Sequence, residues 1–300
     1  MRHPVISDRR RRQLEAENRH LREVYGTWVP PGHFYSPFPD LEDYDRRAAG
    51  LRDPYREVPG IDLREPEQLD LVDAVGALAA DIAFPEHPDP NGTTRYWFDN
   101  PAYAHGDGTV LHGMLRHLRP RRVVEVGSGF SSAMILDTVD GWLTGTELTF
   151  IEPHPGLVRG LLRPGDEQRV TIHEAAVQDV SPDVFDQLDR GDVLFVDSTH
   201  VVKAGSDVNH LVFEVLPRLR AGVWVHLHDI FFPFEYPEAW VREGRAWHEA
   251  YLVRAFLAFN ASFDIRWFQD FLWARHRERL ERIPWVAKNP GANLWLEKVS

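Results

Sequence analysis

From about residue 120 onward the chain alternates short, almost wholly apolar runs with segments of helical spacing, and few folds accept that alternation. Val123 to Val126, Leu148 to Ile151, Val170 to Ile172, Val193 to Val196 and Val223 to Leu227 read as strands buried on both faces. Phe263 to Phe268 and Asn293 to Lys298 supply two closing strands. Between the fourth and fifth strands, Val208, Leu211, Val212, Val215, Leu216 and Leu219 recur at helical spacing and stop at Gly222. Pro217 should kink or shorten the last turn of that helix. A long helix carrying Trp240, Trp247, Tyr251, Ala255 and Phe259 is expected next. The pattern predicts an α/β fold: a doubly wound, mostly parallel, seven-stranded sheet covered by helices on both sides.

Residues 1–104 read as a helical and looped cap and residues 105–300 as the sheet domain. The cap holds a stretch from Tyr25 to Pro66 rich in Pro, Asp and aromatics, among them Trp28, Phe34, Tyr35 and Phe38, where prolines forbid long helices. An ordered arm packed on something larger is expected there. Leu69, Leu71, Val72, Val75, Leu78 and Ile82 then form an amphipathic helix. A loop from His87 to Pro101 leads to another, with Val110, Leu111, Met114, Leu115 and Leu118 on one face.

With 34 basic and 46 acidic residues the net charge is −12, so no nucleic-acid partner is expected. The cluster Arg2, Arg9 to Arg12, Arg19 and Arg22 is interleaved with Asp8, Glu15, Glu17 and Glu23 and reads as a solvated helix face. Met1 to Pro30 holds no continuous apolar segment and no run approaches the length of a membrane span. No secretory signal and no membrane partner are expected, and a cytoplasmic location is. Cysteine is absent, which excludes disulfides, thiolate metal sites and thiol nucleophiles. Whether the chain forms a homo-oligomer is left open.

The strongest local feature is the run Val123-Val124-Glu125-Val126-Gly127-Ser128-Gly129-Phe130-Ser131-Ser132. A strand enters a turn with two glycines, which permit positive φ and close approach of a ligand to the backbone, and a helix begins at Ser131 or Ser132. Ser132 stands where the third glycine of a dinucleotide turn would be, which disfavours a nicotinamide dehydrogenase. Glu125 is a carboxylate in an otherwise apolar strand and needs a cationic or hydrogen-bonding partner. Glu152 ends the second strand, where an acidic side chain can accept both hydroxyls of a ribose. The plainer alternative pairs Glu125 with an arginine and lets Glu152 cap the turn at Pro153.

A second constellation closes strands four and five: Asp197-Ser198-Thr199-His200 and His226-Leu227-His228-Asp229. Both strand ends open into one crevice, so Asp197, His200, His228 and Asp229 should converge beside the glycine turn. They could hold a divalent metal ion. They could equally form an ionic cluster in which His228 or Arg245 neutralises two carboxylates. His226 lies about 7 Å deeper along the strand and reads as a hydrogen-bonded core histidine.

Glu125-x-Gly127-x-Gly129 with acidic Glu152 and Asp197 resembles the cofactor signature of class I S-adenosylmethionine-dependent methyltransferases, which have a Rossmann-like sheet. The resemblance implies S-adenosylmethionine as cofactor, with Glu125 facing the methionine amino group and Gly127 and Gly129 beneath the methionine portion. It also implies Ser131 among the cofactor-binding residues, Glu152 on the ribose, and an adenine contact between Ala175 and Asp179. The second constellation is similar to that of metal-dependent O-methyltransferases acting on sugars and macrolides, and to the group named for cephalosporin hydroxylation. That likeness implies a divalent metal at Asp197, His228 and Asp229, His200 as general base with its ordinary pKa, and Asp197 beside it in the catalytic set. His228 stands where those enzymes have a carboxylate, so manganese, iron, cobalt or zinc would suit the site better than magnesium.

The activity implied is metal-assisted O-methylation of a small-molecule hydroxyl of sugar or natural-product type. Aromatic residues in Trp28 to Phe38, Tyr96 to Phe98 and Phe231 to Tyr236 could wall the acceptor pocket or plug the core. Two other functions stay open on the same residues. His200, His228 and one Asp are the donors of an iron-dependent oxygen-activating enzyme, and the glycine turn alone would serve a non-catalytic adenosyl-binding module.

Overall fold

The computed structural model describes residue 19, residue 26 and residues 28–300. Apart from Arg19, the arginine cluster of the first 22 residues lies outside the described residues. The chain divides into two units, residues 1–52 with 236–246, and residues 53–235 with 247–300. In the first unit, helix α1 (Leu41–Leu51) starts where the Asp40 carboxylate accepts the Asp43 backbone N–H at 2.9 Å. This helix was hidden in the sequence by the prolines around it; Pro39 and Pro54 flank it rather than interrupt it. Trp28 stacks on Tyr35 at 5.3 Å, Phe34 lies tilted against Tyr35 at 4.2 Å, and all three rings are exposed.

The second unit opens with α2 (Glu65–Ala79), which has Pro66 in its first turn and buries Leu71, Val72, Val75 and Ala79, and with α3 (His105–Leu118). The seven strands are β1 (Arg122–Val126), β2 (Glu147–Ile151), β3 (Val170–His173), β4 (Val193–Val196), β5 (Trp224–His228), β6 (Phe263–Phe268) and β7 (Asn293–Lys298). Their spatial order is β3-β2-β1-β4-β5-β7-β6; the first five are mutually parallel, and β7 is antiparallel to both its neighbours. The chain moves outward from β1 to β3, then returns to place β4 on the other side of β1. That reversal opens a crevice at the carboxyl ends of β1 and β4.

Helix α4 (Phe130–Trp142) follows the glycine turn directly. The segment after β4 keeps only one α-helical turn, Asp207–His210, before a wider turn at Leu211–Val215 and a tighter one at Leu216–Arg218, as Pro217 requires. The single long helix expected over Trp240 to Phe259 does not form. It is split into α5 (Glu238–Arg242) and α6 (Glu249–Leu257), because Gly244 takes a φ of +78° and ends the first piece. Helix α7 (Gln269–Leu280) has no counterpart in the sequence reading, since its charged run Arg275 to Arg279 masks the few core positions Phe271, Leu272 and Leu280.

Arg95 is the least ordinary buried side chain of this unit. Its guanidinium bonds Asp137 of α4 at 2.6 Å and Asp166 at 2.6 Å, with these side chains only 2–3% exposed. Asp137 also accepts the backbone N–H groups of Arg95 and Tyr96 at 2.7 and 2.8 Å. The loop before α3 is thereby fastened to the helix that leaves the glycine turn. Among the described residues, no helix is long and apolar enough to cross a membrane.

Candidate functional site

Gly127 takes a φ of +83°, and a β-carbon there would collide with the backbone carbonyl of Asp197. Its N–H donates to Ile151 O at 3.0 Å, while Asp197 N–H donates to Val126 O at 2.9 Å. One residue without a side chain therefore lets β1, β2 and β4 close on each other at their carboxyl ends. Gly129 is extended at φ −175°; its close approach is to Leu157, which a β-carbon would meet at 3.1 Å.

Glu125 pairs with no arginine. It is fully buried, the Ser132 hydroxyl donates to its Oε2, and its Oε1 has no hydrogen-bond partner. Burial pushes its carboxyl up to about 8, against the moderating hydroxyls of Ser131, Ser132 and Ser128. Ser131, itself buried, thus faces the strand carboxylate from the first turn of α4. Glu152 accepts the N–H of His154 at 2.7 Å and that of Ser128 at 3.3 Å, so it caps its own turn and also ties that turn to the glycine loop.

A cleft of about 400 Å³ runs along these strand ends, lined among others by Gly127, Glu152, Val177, Gln178, Asp197 and Lys203. Ala176, Val177 and Gln178 fall in the segment expected to meet adenine. Gln178 and Lys203 were not singled out from the sequence; nothing in their local spacing marks them. A second hollow of about 360 Å³, lined by residues such as Gly60, Arg64, Phe259 and Asp264, contains none of the expected site residues.

The other constellation assembles around His200, which is 4% exposed and has a φ of +60°. Its Nδ1 lies 2.7 Å from Glu249 Oε2, and its Nε2 lies 3.4 Å from Asp197 Oδ1 and 4.0 Å from Asp229 Oδ2. The His200 carbonyl accepts the N–H groups of His248 and Glu249 at 2.9 and 3.2 Å, and Trp247 packs on its ring at 4.3 Å. Burial alone would lower the imidazole, but Asp197 and Glu249 outweigh it and raise His200 to about 10. Both carboxylates thus favour its protonated form, where the sequence led to an imidazole of ordinary pKa. Burial would raise Asp197, but His228 and His200 hold it below its ordinary value.

His228 Nε2 lies 3.6 Å from Asp229 Oδ1. Burial would lower His228, yet Asp229, Asp197 and Asp107 raise it. Carboxylates thus flank both histidines, while Arg245 pairs with Glu243 at 2.8 Å. Among the described residues, no group of three or more His, Asp or Glu is arranged to hold a metal ion. Asp197, His228 and Asp229 converge but do not fit a ligand set as they stand.

His226 is buried in the core, as expected, but it is not hydrogen-bonded. Both ring nitrogens are unpartnered, the ring is stacked on Phe195 at 4.0 Å, and Trp295 meets it edge-on at 4.8 Å. Burial, then the neighbouring His228, keeps it neutral. Phe232 and Phe234 are core residues packed against Phe268 at 5.7 and 5.2 Å, and Tyr96 and Phe98 are fully buried.

The profile of a family described as a methyltransferase domain matches residues 124–230. An uncharacterized protein of Archaeoglobus fulgidus is 35% identical over 177 residues, spanning 56% of this chain and 77% of its own. Among solved structures, the chain is similar to the O-methyltransferase of Streptomyces achromogenes involved in tomaymycin synthesis, in complex with S-adenosylmethionine. That similarity is 15% identity over 87% of this chain and 96% of the other, with a TM-score of 0.42. It is also similar to a methyltransferase of Podospora anserina bound to S-adenosylhomocysteine, at 14% identity over 92% and 100% of the two chains and a TM-score of 0.44. The family match begins on β1 and ends just past Asp229, enclosing the glycine turn, Glu152, Asp197 and His200. The chain carries that methyltransferase domain on residues 124–230.

Proposed function

We propose that this methyltransferase transfers its methyl group to a hydroxyl oxygen of a small molecule, in a sheet domain at residues 105–300 that carries both ends of the reaction. The observation that supports this is the double position of Asp197. It lines the cleft and also contacts His200, so the histidine–carboxylate cluster adjoins the place where the methyl donor would lie. Glu125, Gly127, Gly129, Ser131 and Glu152 would hold that donor.

S-adenosylmethionine supplies an electrophilic methyl group on a sulfonium centre whose positive charge is lost as the methyl moves. The chain must hold an acceptor oxygen in line and remove its proton. Alignment of that kind accounts for roughly 7–11 kcal/mol of barrier lowering at best. A cationic His200 cannot take the proton. The carboxylates of Asp197 and Asp229 beside its Nε2 can, and the imidazolium stabilises the oxygen as it becomes anionic. Glu249 keeps the ring turned so that Nε2 faces both.

The test is label transfer from methyl-labelled S-adenosylmethionine to a panel of sugars, polyols and phenols. Label on a hydroxyl oxygen is expected, with Asp229→Asn reducing the rate by about 10²–10⁴. Methylation confined to amines or carboxylates would defeat the assignment. The closeness of His228, Asp229 and Asp197 supports a second, metal-assisted form. Turnover that disappears on chelation and returns with manganese, iron, cobalt, zinc or magnesium would move these three into a ligand role; unchanged turnover keeps them in the ionic cluster.

A further inference from the structure

The loop that Arg95 fastens to α4 ends in Tyr103, and this residue is held with unusual completeness. Its backbone N–H donates to Asn100 Oδ1 at 2.7 Å, and its carbonyl accepts from Asn100 Nδ2 at 2.9 Å and from the Tyr96 hydroxyl at 2.8 Å. The ring lies across the carboxyl ends of the central strands, against His228 at 5.0 Å and edge-on to Phe195 at 5.7 Å. The residue is 1% exposed, yet its hydroxyl has no hydrogen-bond partner. A phenylalanine would fill the same space without burying an unpaired phenol, so the hydroxyl calls for an explanation.

Another polar atom at the same end of the sheet is also buried and unpartnered, Glu125 Oε1 in β1. Together they offer one carboxyl acceptor and one hydroxyl donor. The amino-acid end of S-adenosylmethionine presents the complement, an ammonium that only donates and a carboxylate that only accepts.

We infer that Tyr103 is a donor-binding residue: its hydroxyl donates to the carboxylate of the methyl donor, while Glu125 accepts from its ammonium. This assignment rests on the cofactor reading above and adds a residue from outside the segment that carries the glycine signature. Burial, with the charges of Asp107, Asp197 and Glu125, keeps the phenol far above its ordinary value, so it remains a hydrogen-bond donor throughout the working pH range.

The experiment compares Tyr103→Phe with wild type in calorimetric titrations of S-adenosylhomocysteine and of 5′-methylthioadenosine, which lacks the amino-acid end. Tyr103→Phe should weaken S-adenosylhomocysteine about ten- to a hundredfold, the scale of a hydrogen bond to a charged group. It should leave 5′-methylthioadenosine and the melting temperature of the free protein unchanged. Equal S-adenosylhomocysteine affinity in variant and wild type overturns the inference alone, as does equal weakening of both ligands. A wild type that binds neither ligand overturns the cofactor reading and this inference with it.

Discussion

Glu249 Oε2 lies 2.7 Å from His200 Nδ1, with both side chains buried and the two residues 49 positions apart along the chain. The pair sits where the first turn of α6 meets the end of β4, and the helix also offers the N–H of Glu249 to the His200 carbonyl. A carboxylate in that position orients the imidazole and also fixes its charge.

The raised pKa of His200 makes stability depend on pH. The folded chain holds this proton more tightly than the unfolded chain, whose histidine titrates at its ordinary 6.5. The stabilisation is complete below that value and is lost as pH rises through about 10. In Glu249→Gln the decline over that window should flatten, and the His200 resonance should titrate at lower pH. Chemical unfolding at a series of pH values, with NMR titration of the histidines, checks both.

Glu125 carries an opposite consequence for binding. Its carboxyl, raised from 4.5 to about 8, is largely protonated in the free protein at neutral pH. Stability from that protonated form is present below 4.5 and is lost as pH rises through about 8. An ammonium arriving beside it favours the ionised form, so cofactor binding near pH 7 should release a proton. Calorimetry in buffers of different ionisation enthalpy should detect the release in wild type and lose it in Glu125→Gln.

Gly127→Val should abolish the thermal shift produced by S-adenosylhomocysteine. The new side chain meets the Asp197 carbonyl and must adopt a φ near +83°, so the turn cannot keep its shape. Gly156→Ala is the control, because a β-carbon there meets nothing within 4 Å. A retained shift in Gly127→Val would remove the turn from the binding site.

Arg95→Ala should cost up to about 3–5 kcal/mol of stability, because it takes from Asp137 and Asp166 their buried cationic partner and leaves them the more exposed Arg163 and Arg169. Urea unfolding measures it. The melting transition should move well below that of Tyr103→Phe, which removes only an unpaired hydroxyl.

The sequence by itself determined the sheet. The central strand β4 is a wholly buried run of Val, Leu and Phe, and β1 nearly so, and only a sheet covered on both sides buries such runs; the outer strands β3 and β6 carry Thr171, Asp264 and Arg266 at less buried positions. The glycine turn and Glu152 were legible for the same local reason: backbone conformation and strand ends are written in neighbouring residues. Asp197, His200, His228 and Asp229 could be placed at adjoining strand ends because parallel topology brings those ends together.

Tertiary structure decided what those residues are. The charge of His200 depends on Glu249, and no spacing in the sequence connects the two. The isolation of His226 comes from Phe195 on β4 and Trp295 on β7, which meet it only once the sheet is ordered β4-β5-β7. Tyr103 gained its place through Asn100, Tyr96 and the Arg95 cluster. Electrostatic environment is a sum over neighbours in space, and local patterns along the chain carry only the part of that sum that lies within a few residues.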